Sequence, residues 1–197
     1  MTIATPQKMS LEEYLTYDDG TDTRYELVDG VLVEMGAESD INVEIAGFLF
    51  SVLLQFVPHY LLRRGTELVV SSQVATSRQP DLTVLTVPGR IALQGTARSI
   101  ITPDMPPPQL VIEVVSPGSE SSDNYQRDYV QKPTEYAARG IAEYWIVDPE
   151  RSVVSIGVLM DQRYQFQPFQ GDSPIVSPTF PGLTLTAEQV LQAGQGF

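Results

Sequence analysis

The chain has 197 residues, no cysteine and one histidine (His59), with 25 acidic against 12 basic side chains and a net charge of −13. Those counts exclude a disulfide framework, a thiolate zinc site and a histidine-rich metal centre, so any metal must be held by oxygen, which points to Mg²⁺, Mn²⁺ or Ca²⁺. An acidic chain also weighs against non-specific binding to nucleic acid, and a hydrophobic content of 42% excludes a disordered one.

The length is that of one domain, residues 1–197, with room for a sizeable core. The opening MTIATPQKMS lacks the basic start and apolar stretch of a signal peptide. The longest apolar run, 45–57, is 13 residues and too short to span a bilayer. A soluble, cytoplasmic protein is the expectation.

In chain order, SLEEYL (10–15) opens with a capping box, Ser10 with Glu13, and predicts a short helix. RYELVDGVLVEM (24–35) alternates on either side of Asp29-Gly30, the dipeptide favoured by a type I′ turn, and predicts a hairpin. Ser39 or Asp40 caps a helix over 41–57, whose apolar Ile41, Ile45, Phe48, Leu49, Val52 and Phe56 share one face. TELVVSSQVA (66–75) and DLTVLTV (81–87) read as strands, and 88–109, with five prolines, as a long loop. LVIEVVS (110–116) is a continuous apolar run, hence a central strand covered on both faces. Residues 123–139 are partly helical and end at Gly140; Pro133 either delays the helix start to about Asp128 or kinks it. EYWIVDP (143–149) is a strand, 153–159 and 163–169 form a second hairpin around Asp161-Gln162, and Thr186 caps a last short helix. The order of elements is that of a mixed α/β (α+β) protein with a largely antiparallel sheet.

Glu113 breaks the pattern of its strand. An ionised carboxylate buried without a partner costs on the order of several kcal/mol, so it needs a cation, a set of donors or a cleft open to water. Asp81, at the start of another strand after Pro80, is a second misplaced acid. Acids at the same end of adjacent strands would lie close together and repel unless a divalent cation sits between them, so the two read as oxygen ligands for one hard metal. The plain alternatives are a turn cap for Asp81 and a half-exposed sheet face for Glu113. Five arginines (63, 64, 78, 90 and 98) lie between Arg63 and Thr102 against only Glu67 and Asp81. They are either a surface for a DNA backbone or a solvated face of an acidic protein.

QPDLTVL, LVIEVVSPGS and RDYVQKPTEYAARGIAEYWIVDP together resemble the Uma-type restriction endonucleases, a former domain-of-unknown-function family in the PD-(D/E)XK nuclease superfamily. The resemblance runs over about residues 8–193, and ARGIAEYWIVDP is its most specific phrase. It implies a restriction-endonuclease-like core, a mixed, mostly antiparallel sheet flanked by helices, with extra N- and C-terminal hairpins. The superfamily pattern places Lys two residues after the Glu; here that position is Val115, and the resemblance offers Lys132 in its stead, with Asp128 one turn before it. Glu44, on the 41–57 helix, and Glu26, in the first hairpin, are the candidates for a further acid. The histidine that the family often carries near the start of that helix has no counterpart in SDINVE.

What the resemblance implies is Mg²⁺-dependent (or Mn²⁺-dependent) hydrolysis of DNA phosphodiester bonds by a homodimer. Asp81, Glu113 and the Val114 carbonyl would hold the metal. Lys132 would orient or deprotonate the attacking water and offset charge on phosphorus, and Glu44 or Glu26 would add a ligand. Two other readings stay open. One is a nuclease-fold interaction module without turnover; the other is a metal-dependent hydrolase of small phosphoesters. Convergence of Asp81, Glu113 and Lys132 in one open cleft separates the enzymes from the module.

Overall fold

Two sheets, rather than one, share the strands of this mixed α/β fold. The computed structural model describes residues 8–21, 23–71 and 74–193; the first seven residues of the N-terminal stretch discussed above lie outside them. Helix α1 (Leu11–Leu15) carries both bonds of the Ser10–Glu13 capping box. Strands β1 (Tyr25–Val28) and β2 (Val31–Glu34) form the first hairpin, with Asp29 and Gly30 both at positive φ, as a type I′ turn demands. Helix α2 (Asp40–Leu53) is capped by Ser39 and is shorter than the predicted 41–57. Its end tightens into i→i+3 bonds, from Gln55 N–H to Val52 O and from Phe56 N–H to Leu53 O, ahead of Pro58.

The predicted strand 66–75 is instead β4 (Glu67–Ser71), which follows the two-residue β3 (Leu62–Arg63) and turns back into β5 (Thr76–Arg78); residues 72 and 73 lie outside the described residues. Strand β6 is confined to Leu82–Val84. The predicted loop 88–109 contains α3 (Val87–Ala92), capped by Thr86 with Pro88 in its first turn, and β7 (Ile100–Ile101), which adds parallel to β4. Then come β8 (Leu110–Val114), α4 (Asp123–Gln126), a π-helical turn (Arg127–Gln131), α5 (Lys132–Ala138), β9 (Glu143–Asp148), the hairpin β10 (Val153–Met160) and β11 (Arg163–Phe169), and α6 (Ala187–Leu191).

The smaller sheet has the order β2-β1-β5-β4-β7 and the larger β11-β10-β9-β8-β6-β3. Pairing is antiparallel except for β4 with β7 and β8 with β9. Strand β8 is central and buried along its whole length, as its continuous apolar run predicts. Its two faces serve different cores. Leu110, Ile112 and Val114 pack with α2 and α6 on one side; Val111 and Val115 pack with Tyr136 of α5 and with Leu68 and Ile101 of the smaller sheet on the other. Alternation gives Glu113 the parity of Val111 and Val115, the side that α5 covers.

The kink offered by Pro133 takes the form of the π-helical turn. Proline in a regular helix collides with the carbonyl four residues back and removes a donor. Here the chain widens just before it, so that the Lys132 N–H donates to Arg127 O, and the Thr134 hydroxyl donates to the carbonyl of Val130 at 3.0 Å. In the outer hairpin, Gly157 makes room for the Phe166 ring. An aromatic series runs inward from there, Phe166 to Tyr144 at 6.1 Å and Tyr144 to Tyr136 at 5.1 Å between centroids.

Candidate active site

The pairing of β6 with β8 sets Leu82 opposite Ile112 and so places Asp81, the residue before β6, beside the end of β8. Asp81 Oδ2 accepts the Val114 N–H at 2.6 Å. Glu113 Oε1 accepts the Tyr136 hydroxyl, while Oε2 lies 2.9 Å from Lys132 Nζ. That ammonium is also 2.9 Å from Asp128 Oδ1, and Asp128 is held side-on by Arg127 through Nε and Nη2 at 3.0 and 3.3 Å. The result is a string of alternating charge, Arg127, Asp128, Lys132, Glu113. The i,i+4 relation places Asp128, Lys132 and Tyr136 on one face of the helix, and the parity of β8 turns Glu113 towards it.

Electrostatics follow from depth. Burial pushes the Glu113 carboxyl up to about 7, with Lys132 pulling the other way and Asp81 adding to the rise. Burial likewise lifts Asp81 to about 6 against the Val114 N–H and Lys132. Lys132 is desolvated, yet Glu113 and Asp128 together raise its proton affinity above that of an ordinary lysine. Asp128 is also desolvated, but Lys132 and Arg127 outweigh that and hold it below the usual range.

Asp81, Glu113, Val114 and Lys132 line one cavity of about 390 Å³, and Glu26 shares its wall. Glu26 is fixed there by the Gln79 N–H at 3.1 Å and by Arg78 Nη1 at 3.2 Å. Arg78 is itself buried and grips Glu135 of α5 through two nitrogens at 2.8 and 2.7 Å, with Gln131 at 3.3 Å. Glu44 is not brought in. It sits on the exposed side of α2 and is absent from the cavity wall, since helical spacing gives it the opposite face from Ile45 and Leu49. The Val114 carbonyl already accepts Asn42 Nδ2 at 3.1 Å.

Three of the five arginines between 63 and 98 are tied to carboxylates. Arg78 is spent internally, Arg98 pairs with Glu67 at 2.8 Å and lies over the Tyr14 ring, and Arg64 pairs with Glu38 at 3.7 Å. Glu26, Glu38, Glu67 and Glu135 take up these three, whereas Arg63, bonded to the His59 and Leu62 carbonyls, and Arg90 pair with no carboxylate among the described residues.

Neither Asn42 nor Tyr136 was singled out in the sequence above. Asn42 is buried in the first turn of α2, its Nδ2 bridges the Val114 and Val115 carbonyls, and its Oδ1 has no partner among the described residues. A polar amide at an inward helix position was the available signal. For Tyr136 it was the four-residue step from Lys132.

Among the described residues no three His, Cys, Asp or Glu side chains are grouped so as to hold a metal ion. Among the oxygens on the cavity wall are those of two carboxylates disfavoured by burial, Asp81 and Glu113, and the amide carbonyl of Asn42, which has no partner among the described residues. That is a hard-cation donor set, and a divalent ion would relieve both carboxylates, so the residues fit such an ion. Glu143, a buried acid at the start of β9 in the larger sheet, is different. The Trp145 Nε1–H, the Ser177 hydroxyl and the Thr179 N–H satisfy it, and it faces no cavity described here.

The arrangement of sheets and helices is found in a solved structure, that of "a putative nuclease belonging to DUF820" from Anabaena variabilis ATCC 29413. The two agree with a TM-score of 0.71 over 94% of this chain and 99% of that one, at 18% identity, a likeness of fold. No curated protein matches the sequence. Residues 11–188 match the Uma2 family, described as "Putative restriction endonuclease", and the chain belongs to that family.

Proposed function

We propose that the protein is a divalent-metal-dependent endonuclease that hydrolyses DNA phosphodiester bonds, with Mg²⁺ as the working ion and Mn²⁺ as a substitute. The observation that carries this is the meeting of Asp81, Glu113 and Lys132 on one open cavity; the Lys132 ammonium would stand in for the lysine that the superfamily pattern puts where this chain has Val115. Asp81 and Glu113 would hold the ion, with Asn42 Oδ1 and the remaining lone pair of the Val114 carbonyl as further oxygens. Such an ion, when bound, lowers the pKa of a coordinated water and polarises a phosphoryl oxygen.

The chain's own groups do the rest. Lys132 keeps its proton, because two carboxylates flank it, so it acts as a fixed positive charge that orients water and offsets charge on phosphorus, and not as a base. Asp128 aims that ammonium, and the Tyr136 hydroxyl fixes the rotamer of Glu113. Glu26, anchored by Arg78, is the further acid of the site in preference to Glu44. Because a duplex has two strands to cut, the reading includes a homodimer.

One observation favours the second reading, hydrolysis of small phosphoesters: the cavity wall carries six carboxylates against two cations, which repels an extended polyanion more than a single phosphate. The test is Mg²⁺-dependent cleavage of supercoiled plasmid by the wild type beside Asp81→Ala and Lys132→Ala, with bis(4-nitrophenyl) phosphate in parallel. Cleavage by the wild type alone supports the endonuclease. Equal nicking by all three overturns it, and hydrolysis of the small ester without plasmid cleavage favours the second reading.

A further inference from the structure

The cavity wall holds two cations, and they differ. Lys132 is almost wholly out of solvent and doubly paired, whereas the Arg127 side chain retains 32% of its exposure. Asp128 engages Arg127 only through Nε and Nη2; Nη1 makes no hydrogen bond to any described residue. The guanidinium is therefore held rigid on one edge and left with donors on the other, the form in which arginine receives a phosphate oxygen. Arg24 and Arg64 do not line the cavity, and both pair with Glu38, which does.

The π-helical turn makes this placement possible. In a regular α-helix, positions five apart lie about 140° round the axis from each other, so Arg127 and Lys132 would face different ways. The widened turn closes a hydrogen bond from the Lys132 N–H to Arg127 O, which sets the two residues one above the other. Both then line the cavity, with Asp128 between them as a common counter-ion.

We propose that Arg127 is the phosphate-holding residue of this site: its free guanidinium edge binds a non-bridging oxygen of the substrate phosphodiester, and the π-helical turn is what sets it on the wall beside Lys132. The proposal rests on the phosphoester-hydrolase reading of the cavity and adds a residue to it. It requires that the site take up a phosphate dianion or diester through a guanidinium, independently of whether a bond is then cut.

The test uses the full chain with inorganic phosphate as probe, followed by the guanidinium Nε–H resonances in nitrogen-15 spectra. In the wild type, one arginine Nε–H is expected to move with saturable dependence on phosphate, and to be missing from the spectrum of Arg127→Lys. Arg127→Gln should weaken phosphate binding by roughly tenfold or more, the loss of one charge-assisted contact, with Arg127→Lys in between. Near-ultraviolet circular dichroism establishes that both variants are folded, and Arg127→Lys retains the positive charge beside Asp128 if Arg127→Gln does not fold. Unchanged phosphate affinity in both variants, or no guanidinium response in the wild type, overturns the proposal. A wild type that binds phosphate through Arg127 but cuts neither plasmid nor small ester leaves it standing and removes the hydrolase reading instead.

Discussion

Lys132 Nζ lies 2.9 Å from Glu113 Oε2, with both side chains almost entirely withdrawn from solvent. Removing the cation alone leaves the buried Glu113 without its counter-charge and Asp128 with Arg127 as its sole cation among the described residues. Lys132→Met is expected to cost about 3–5 kcal/mol in urea unfolding at pH 7.5. The cost should shrink at pH 5, because Glu113, already lifted to about 7 by burial, takes up a proton once its cation is gone. Equal unfolding midpoints for variant and wild type at pH 7.5 would contradict the pairing.

Asp81 sets a pH dependence of definite sign. Its folded-state value of about 6 lies above its ordinary 3.8, so the native state holds this proton more tightly than the unfolded chain does. Its contribution to stability is complete below about pH 4 and is lost as pH rises through 6. Without metal, Asp81→Asn should match the wild type near pH 4 and exceed it by about 1–3 kcal/mol above pH 6, since the variant's amide oxygen can still accept the Val114 N–H. Added Mg²⁺ should then raise the melting temperature of the wild type and leave that of the variant unmoved. Parallel stability curves across pH 4–8 would refute this account.

Arg78 ties the smaller sheet to the helix that carries Lys132. Arg78→Met leaves Glu26 and part of Glu135 unpaired inside the protein and is expected to cost about 3–5 kcal/mol. Arg78→Lys retains the charge but loses the two-nitrogen grip on Glu135, at about 1–3 kcal/mol. Chemical denaturation of the two variants should reproduce that order, and a lysine variant as stable as the wild type would show that the fork geometry carries no weight.

Asn42 bridges two carbonyls at the end of β8. Asn42→Ala removes that bridge, and the expected loss is about 1–3 kcal/mol. The same variant should show weaker stabilisation by Mg²⁺ in a thermal titration, through the loss of Oδ1. An alanine variant with unaltered Mg²⁺ response confines Asn42 to the carbonyl bridge.

Glu26 and Glu44 are distinguished by position. Glu26→Gln, which still accepts the Gln79 N–H, should lower the rate of phosphoester cleavage by about tenfold or more, a barrier change near 1.4 kcal/mol. Glu44→Gln, on the exposed face of α2, should stay within about twofold of the wild type. The reverse ranking in a rate assay would return Glu44 to the site.

The centre of the site was legible because it violated a pattern. Glu113 interrupts an apolar run and Asp81 opens a strand, and each needs a reason that packing alone does not supply. The family phrase around Lys132 added the ammonium. The rest was hidden for physical reasons. A π-helical turn leaves no period to read, so the alignment of Arg127 with Lys132 is invisible in RDYVQK. Strands of two residues, β3 and β7, are too short to alternate. Helix α3 was announced by Thr86 and by Pro88 in its first turn but was masked by the prolines that follow. The pairing of Arg64, Arg78 and Arg98 was hidden because sequence proximity does not reveal which arginines find carboxylates inside the fold.

The aromatic series from Phe166 through Tyr144 to Tyr136 ends on the carboxyl of Glu113, and it begins where a side chain at position 157 would strike a ring. Gly157 therefore bears on the setting of Glu113 even though it stands on a peripheral hairpin. A side chain at position 157 would have to displace the Phe166 ring, so drift at this position is felt first by the aromatic series and only through it by Glu113.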